Sequence, residues 1–407
     1  MKNSVKCQFC NKPRSEVHKM LVTNEQSICD ACVQQFHGLL NTPTEEKPAN
    51  KNSFNNLDSI KMKSFLDQYV IGQDSAKMAL CVGVVNHYKR MLYESETALS
   101  KSNLLITGPS GSGKSLLMST IARFLEIPFI TVDATSLTEA GFIGQNVDTI
   151  ISRLVAEANG DLEAAEHGMV FIDEIDKIAM GKTSVSTREN RVSGVQSALL
   201  KMIEGSVIPI SYADPKKSHF LRDVEVKTQN ILFVCGGAFV GLDEIVKNRL
   251  KKKKGLGFTN EAITITNIEN EYTTEDFIEF GMIPEFIGRF SVKTFTKELL
   301  ESELQTVMRE AKNNMLDEYK FYFNVDNIEV AFTEDFLEHV AHKAKHDKTG
   351  VRGLRSICEG IMTPHLYLIP EYKKRKVAKM TFNQDCVKDK KNLPLIEVYA
   401  AKKRKIA

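Results

Sequence analysis

The most regular feature of the chain is a set of short, largely apolar runs that each stop at glycine or acidic residues. Asn103–Thr107 (NLLIT), Met169–Ile172 (MVFI) and Ile231–Cys235 (ILFVC) have the length and composition of strands buried on both faces of a parallel sheet. After a glycine-rich turn the first run is followed by LLMSTIARFL, whose apolar residues fall at helical spacing. Further along the period changes: Leu300, Leu304, Val307, Ala311 and Met315 predict one helix from about Lys297 to Tyr319. A short strand over Ile328–Phe332, two helices across Glu334–Met362, and strands near Val377–Phe382 and Leu395–Tyr399 follow. The pattern is an α/β unit with a parallel sheet, succeeded by a smaller, mainly helical one. Residues 41–56 (NTPTEEKPANKNSFNN) hold two prolines and no period, which reads as a flexible linker.

What stands at the ends of the apolar runs carries chemistry. Gly108-Pro109-Ser110-Gly111-Ser112-Gly113-Lys114-Ser115 is a complete Walker A loop between a strand and a helix. Backbone N–H groups of such a loop cradle phosphates, Lys114 reaches the β- and γ-phosphates, and the Ser115 hydroxyl ligates Mg²⁺. The second run ends in Asp173-Glu174-Ile175-Asp176, a Walker B pattern. Asp173 would support the Mg²⁺ shell and Glu174 would orient and deprotonate the attacking water, because phosphoryl transfer needs an in-line nucleophile more than covalent help. The third run ends in Gly236-Gly237, with no Asn or Thr to serve as a polar sensor.

Four of the eight cysteines lie in the first 32 residues. Cys7 and Cys10 form one C-x2-C pair and Cys29 and Cys32 another, with 18 residues between, a spacing suited to a tetrahedral four-thiolate Zn²⁺ site. Two redox-active pairs or free thiols are the alternative. A head of about 40 residues buries too little apolar surface to fold alone, so metal would supply much of its folding free energy. Cys81, Cys235, Cys358 and Cys386 stand singly and read as small hydrophobes.

Composition narrows the class. With 54 Lys+Arg against 52 Asp+Glu, the net charge of +2 argues against nucleic acid or an anionic membrane as the general partner. No apolar run approaches the roughly 18–20 residues needed to cross a bilayer, and MKNSVKCQFC lacks a signal-peptide core, so a cytoplasmic protein is expected.

Taken together, these motifs resemble the ClpX family of AAA+ unfoldases, and the resemblance spans nearly the whole chain. Besides the zinc head and Walker motifs, Tyr69-Val70-Ile71-Gly72-Gln73 stands where the family contacts adenine, which implies Val70 and Ile71 as nucleotide contacts. Gly281-Met-Ile-Pro-Glu-Phe-Ile-Gly-Arg-Phe290 is similar to the arginine-finger segment, making Arg289 the finger, and Thr349-Gly-Val-Arg-Gly-Leu-Arg355 to the sensor-2 helix, making Arg352 the sensor. Ala140-Gly141-Phe142-Ile143-Gly144 matches the substrate-gripping pore loop, with Phe142 where tyrosine is usual; by itself the segment reads equally as a turn with Phe142 in the core. Thr187–Val195 occupies the place of the second pore loop, and Lys216-Lys217-Ser218-His219 loosely matches the entrance loop. Leu256-Gly257-Phe258, after a lysine run, resembles the loop that docks on a ClpP-type peptidase.

The resemblance implies a homohexamer, with ATP, Mg²⁺ and Zn²⁺ as cofactors, that unfolds tagged or unfolded proteins, adaptors among its possible partners, and threads them to a separate peptidase. The chain has no H-E-x-x-H of its own. The expected domains are a zinc head over 1–40, a linker over 41–58, a large ATPase domain over 59–295 and a lid over 296–407. A remodelling chaperone that works without a peptidase, and a zinc-containing nucleic-acid-dependent ATPase, are the competing readings.

Overall fold

The computed structural model describes residues 6–10, 12–22, 26–34, 57–93, 99–138, 145–179, 186–213, 221–253, 268–389 and 392–398. They fall into two compact units, Met1–Asn55 and Asn56–Ala407. In the first, an antiparallel pair joins Met20–Val22 to Ser27–Cys29. Its interior is Cys7, Cys29 and Cys32, with only Val17, Met20 and Ile28 partly buried against them. So small an apolar core cannot hold a fold by itself.

The second unit opens with α1 (Ser59–Asp67) and α2 (Asp74–Leu92), then alternates β1 (Asn103–Thr107), α3 (Lys114–Leu125), β2 (Phe129–Asp133), α4 (Thr149–Glu157), β3 (Met169–Asp173), α5 (Ser186–Glu204), β4 (Leu232–Gly237), α6 (Leu242–Lys253) and β5 (Phe290–Phe295). The five strands are all parallel in the order β5-β1-β4-β3-β2. Every residue of β1 and β4 is buried, as suits their largely apolar runs. Because the strands are parallel, the turns after β1, β3 and β4 leave the sheet at one edge, where a doubly wound sheet binds its ligands. An antiparallel hairpin, Val207–Ala213 with Leu221–Lys227, stands beside this sheet in the chain.

The remainder comprises α7 (Glu301–Arg309), α8 (Met315–Val325), β6 (Glu329–Phe332), α9 (Glu334–His346), α10 (Gly350–Tyr367), β7 (Val377–Phe382) and β8 (Leu395–Val398). β7 pairs parallel with β6 and antiparallel with β8. Among the described residues, one apolar core draws on residues from Leu105 to Phe290 and another on residues from Leu299 to Val387. The chain crosses between them at 296–298.

Two expectations change. The single helix over 297–319 is two helices, because Asn313 adopts a left-handed φ of 59° and the Asn314 side chain then caps α8 by accepting from the Asp317 N–H at 3.0 Å. Thr187–Val195 is the first half of helix α5 rather than a loop: Val195, Leu199, Met202 and Ile203 repeat at helical spacing on its buried face. Cys81, Cys235, Cys358 and Cys386 are all buried, as small hydrophobes should be. Phe142, Ile143, Leu256, Gly257, Phe258, the Lys216–His219 stretch and almost all of the expected linker lie outside the described residues.

Candidate nucleotide site and metal centre

Three turns at one sheet edge build the site. β1 runs into the glycine-rich loop and α3 begins directly at Lys114. Gly108 takes φ 142°, and a Cβ there would lie 2.2 Å from Thr296 Oγ1, so both the conformation and the space exclude a side chain. No side chain caps the N-terminus of α3, which leaves its first-turn N–H groups to an external acceptor. Lys114 is buried, and its Nζ donates to the carbonyls of Gly108 at 2.6 Å and Pro109 at 3.0 Å. Burial draws its pKa below the ordinary lysine value, an effect that the nearby Asp173 and Asp176 only partly offset.

β3 ends at Asp173. Its Oδ2 accepts from Ser115 Oγ at 3.0 Å and its Oδ1 from the Glu174 N–H at 2.9 Å. Walker A and Walker B are thus joined through the two residues that suit a divalent cation, a hydroxyl and a carboxylate. Glu174 leaves the strand at φ 57° and exposes its carboxylate at the cavity. Asp176 is buried and accepts from the Ala238 N–H at 3.1 Å, tying the turn after β3 to the one after β4. Gly236 on β4 faces the Phe171 ring so closely that a Cβ would meet it at 2.5 Å. The strand tip carries no polar side chain, which explains why sequence patterning finds no sensor there.

These turns floor a cavity of about 690 Å³, the size of a small-molecule site. Ser110 to Ser115 of the Walker A loop, Asp173 and Glu174 line it, together with the apolar Val70 and Ile71 and with Leu299, Val307 and Met315. The second core therefore closes over the first one's sheet edge. From α10, Arg352 Nη1 donates to Ser110 Oγ at 3.0 Å, on the loop itself. Arg355, one turn on, also lines the cavity and pairs with Glu318 at 2.7 Å. The Arg123 guanidinium sits 4.0 Å above the Tyr69 ring and supports the Val70–Ile71 wall. A glycine-rich loop with Lys114, Asp173, Glu174 and Arg352 beside it, in one cavity with aliphatic side chains, fits a nucleoside triphosphate.

Arg289 stands apart. It does not line this cavity, is half exposed, and pairs with Glu204 at the end of α5. Sequence reasoning missed two further residues, Gln68 and Gln73, at either end of the Tyr69–Gly72 wall. Each is hydrogen-bonded to a distant segment, Gln68 to Lys312 in the cavity lining and Gln73 to Lys297 between the two cores. No local pattern signals either contact.

In the first unit the four sulfurs of Cys7, Cys10, Cys29 and Cys32 lie within 4.8 Å of one another, the one such cluster among the described residues. Cys7 and Cys32 Sγ are 3.9 Å apart and Cys10 and Cys29 Sγ 3.6 Å apart. A tetrahedron with Zn–S bonds of about 2.3 Å places its sulfurs about 3.8 Å apart, so the residues fit the metal. The Cys29 N–H also donates to Cys7 Sγ at 3.3 Å, favouring a thiolate.

Residues 5–42 match the family model of the ClpX C4-type zinc finger, and residues 99–293 that of an AAA domain of the Cdc48 subfamily. The ATP-dependent Clp protease ATP-binding subunit ClpX of Treponema denticola is 38% identical over 403 residues, which cover 96% of each chain. This chain belongs to the ClpX family. ClpX proteins of Borrelia duttonii and Porphyromonas gingivalis are 39% and 40% identical over 96% and 91% of this chain, and each is matched over 92% of its own length. As a ClpX-family member the chain is an AAA+ ATPase with an N-terminal zinc finger: ATP belongs to its AAA domain and zinc to the four cysteines. Among the described residues no helix is long and apolar enough to cross a membrane.

Proposed function

We propose that the protein is a cytoplasmic, ring-forming unfoldase that hydrolyses ATP in the 690 Å³ cavity to pull tagged or unfolded proteins through an axial pore and deliver them to a ClpP-type peptidase. The observation that carries this reading is the convergence of Lys114, Ser115, Asp173, Glu174 and Arg352 on one cavity shared by two packed cores. When bound, ATP supplies the phosphoryl group and Mg²⁺ neutralises charge on it. Gly108 to Gly113 and the N-terminus of α3 cradle the phosphates, with Pro109, Ser110, Gly111 and Ser112 contributing loop backbone. Lys114, whose Nζ now donates to the Gly108 and Pro109 carbonyls, would hold the phosphate oxygens. Ser115 and Asp173 hold the cation, Glu174 takes the proton from the attacking water, and Arg352 stabilises developing negative charge from the lid.

Arg289 serves as the finger for a neighbouring subunit; its absence from the lining of this chain's own cavity and its exposed position support action in trans. A homohexamer with one finger per interface follows. Phe142 and Ile143 grip substrate, Leu256-Gly257-Phe258 docks the peptidase, and the zinc unit over 1–40, joined by the 41–58 linker to the 59–295 ATPase domain and 296–407 lid, selects substrates or adaptors. The test is to mix the purified chain, ATP and a ClpP-type peptidase with a tagged, folded fluorescent protein. Fluorescence and full-length substrate should both disappear. Loss of fluorescence without cleavage would establish remodelling alone, and stimulation of ATPase by DNA but by no unfolded protein would overturn the reading.

A further inference from the structure

Gln73 stands at the N-cap of α2, where a side chain normally bonds the helix's own N–H groups. It does not. Its primary amide instead pairs with the main chain of Lys297, 224 residues away in sequence: Nε2 donates to the Lys297 carbonyl at 2.7 Å, and the Lys297 N–H donates to Oε1 at 2.8 Å. Turning the amide over would set donor against donor and acceptor against acceptor, so its orientation is determined by the contact. Nε2 also lies 3.4 Å from the Ser112 carbonyl in the Walker A loop. Lys297 is where the chain passes from the first apolar core to the second. Its neighbour Thr296 is already bound to that loop, because its Oγ1 lies 2.6 Å from Ser112 Oγ.

The opposite end of the same wall is fastened too. The Lys312 N–H donates to the Gln68 carbonyl at 2.8 Å, and Lys312 Nζ to Gln68 Oε1 at 2.5 Å. Residues 68–73 therefore form a strap that walls the cavity with Tyr69, Val70 and Ile71 and is bonded at one end to the crossing at Lys297 and at the other to Lys312. A group seated against that wall presses on a segment that cannot move without the lid. We propose that Gln73 is a positioning residue that locks the lid hinge at Lys297 and, through the lid, sets the approach of Arg352 to the Walker A loop. Gln68 is its counterpart at the far end. Removing the Gln73 amide frees two hydrogen bonds at a hinge, enough to shift its equilibrium by about five- to thirty-fold.

This inference rests on the cavity being the ATP site, and binding of fluorescent ADP by the parent chain checks that separately. In the nucleotide-free full chain, spin labels on non-natural side chains at Glu163 and Lys374 should report one narrow distance. Gln73→Ala should broaden it, and Gln73→Glu, which sets a carboxylate against the Lys297 carbonyl, should do the same. Gln73→Ala should lower kcat for ATP about tenfold while changing KM and the ADP Kd less than about threefold. In an Arg352→Ala background the same change should lower kcat less than about twofold, since Gln73 acts through that arginine. An unchanged distance distribution, or a full tenfold loss persisting without Arg352, overturns the proposal. Should Gln73→Ala fold poorly, shown by a lowered melting temperature, Gln68→Ala is read by the same distance and must broaden it.

Discussion

Asp276 offers a quantitative test of how the helix leading toward the proposed docking segment is held. Its carboxylate is buried and accepts four hydrogen bonds: from Arg249 Nε at 2.8 Å and Nη2 at 3.1 Å, from the Thr273 N–H at 2.7 Å and from Thr273 Oγ1 at 2.9 Å. Arg249 lies on α6, just before the 254–267 segment, and also donates to the Glu271 carbonyl just after it. The pair therefore fastens both ends of that segment. Asp276→Ala strands the guanidinium, whose side chain is 19% exposed, so the loss belongs at the lower end of the range for broken buried pairs, about 3 kcal/mol. For a unit of this size about 2 °C of melting temperature accompanies each kcal/mol, which predicts a fall of about 6 °C by calorimetry. Asp276 does not line the cavity, so ADP affinity should be unchanged.

The pH dependence adds a sign. Burial pushes the Asp276 carboxyl up, but Arg249 and the Thr273 donors outweigh burial and hold its pKa below the usual carboxylate range. With the folded pKa depressed, the stabilisation is complete above an unfolded value of about 3.9 and is lost as pH falls through the folded one. Asp276→Asn cannot titrate, so its deficit relative to the parent should be full at pH 6 and shrink towards pH 3. A deficit that stays constant across that window, or a melting temperature within about 1 °C of the parent at pH 6, would refute the reasoning.

Glu174→Gln should bind ATP normally and slow its hydrolysis by about two orders of magnitude or more in a single-turnover assay; near-normal turnover removes Glu174 from the role of base. Chelation should release one zinc per chain and abolish the folded signals of the first unit in NMR spectra, with cobalt giving thiolate charge-transfer bands in its place; retained dispersion after metal loss would show that its three partly buried apolar residues suffice. Phe142→Ala should keep ATPase activity but lose unfolding of the fluorescent substrate, and unimpaired unfolding would return Phe142 to a packing role. Deleting Leu256–Phe258 should spare unfolding and abolish co-migration with the peptidase.

Legibility along the chain followed burial. β1, β3 and β4 were readable because central strands are largely apolar and end in recognisable chemistry. β2 (FITVD) and β5 (FSVKTF) flank the same sheet yet went unassigned, since edge strands cover one face only and their burial alternates with exposed positions. The merged helix over 297–319 shows a related limit. Its apolar residues keep helical spacing across the break, while the cap at Asn313–Asn314 that ends one helix and starts the next depends on a backbone conformation the periodicity does not record.

The local chemistry is written in the sequence alone: a glycine loop of phosphate-binding pattern, a strand end carrying carboxylates, two C-x2-C knuckles at zinc spacing. Each is written within a few consecutive residues, where chain geometry leaves little freedom. Only the tertiary structure decided which distant groups meet them. Arg352 reaches Ser110 across 242 residues, Gln73 grips Lys297 across 224, and Arg289 is kept out of its own chain's cavity. Those placements come from how two apolar cores pack across a hinge, and packing is a property of the whole chain that no short segment specifies.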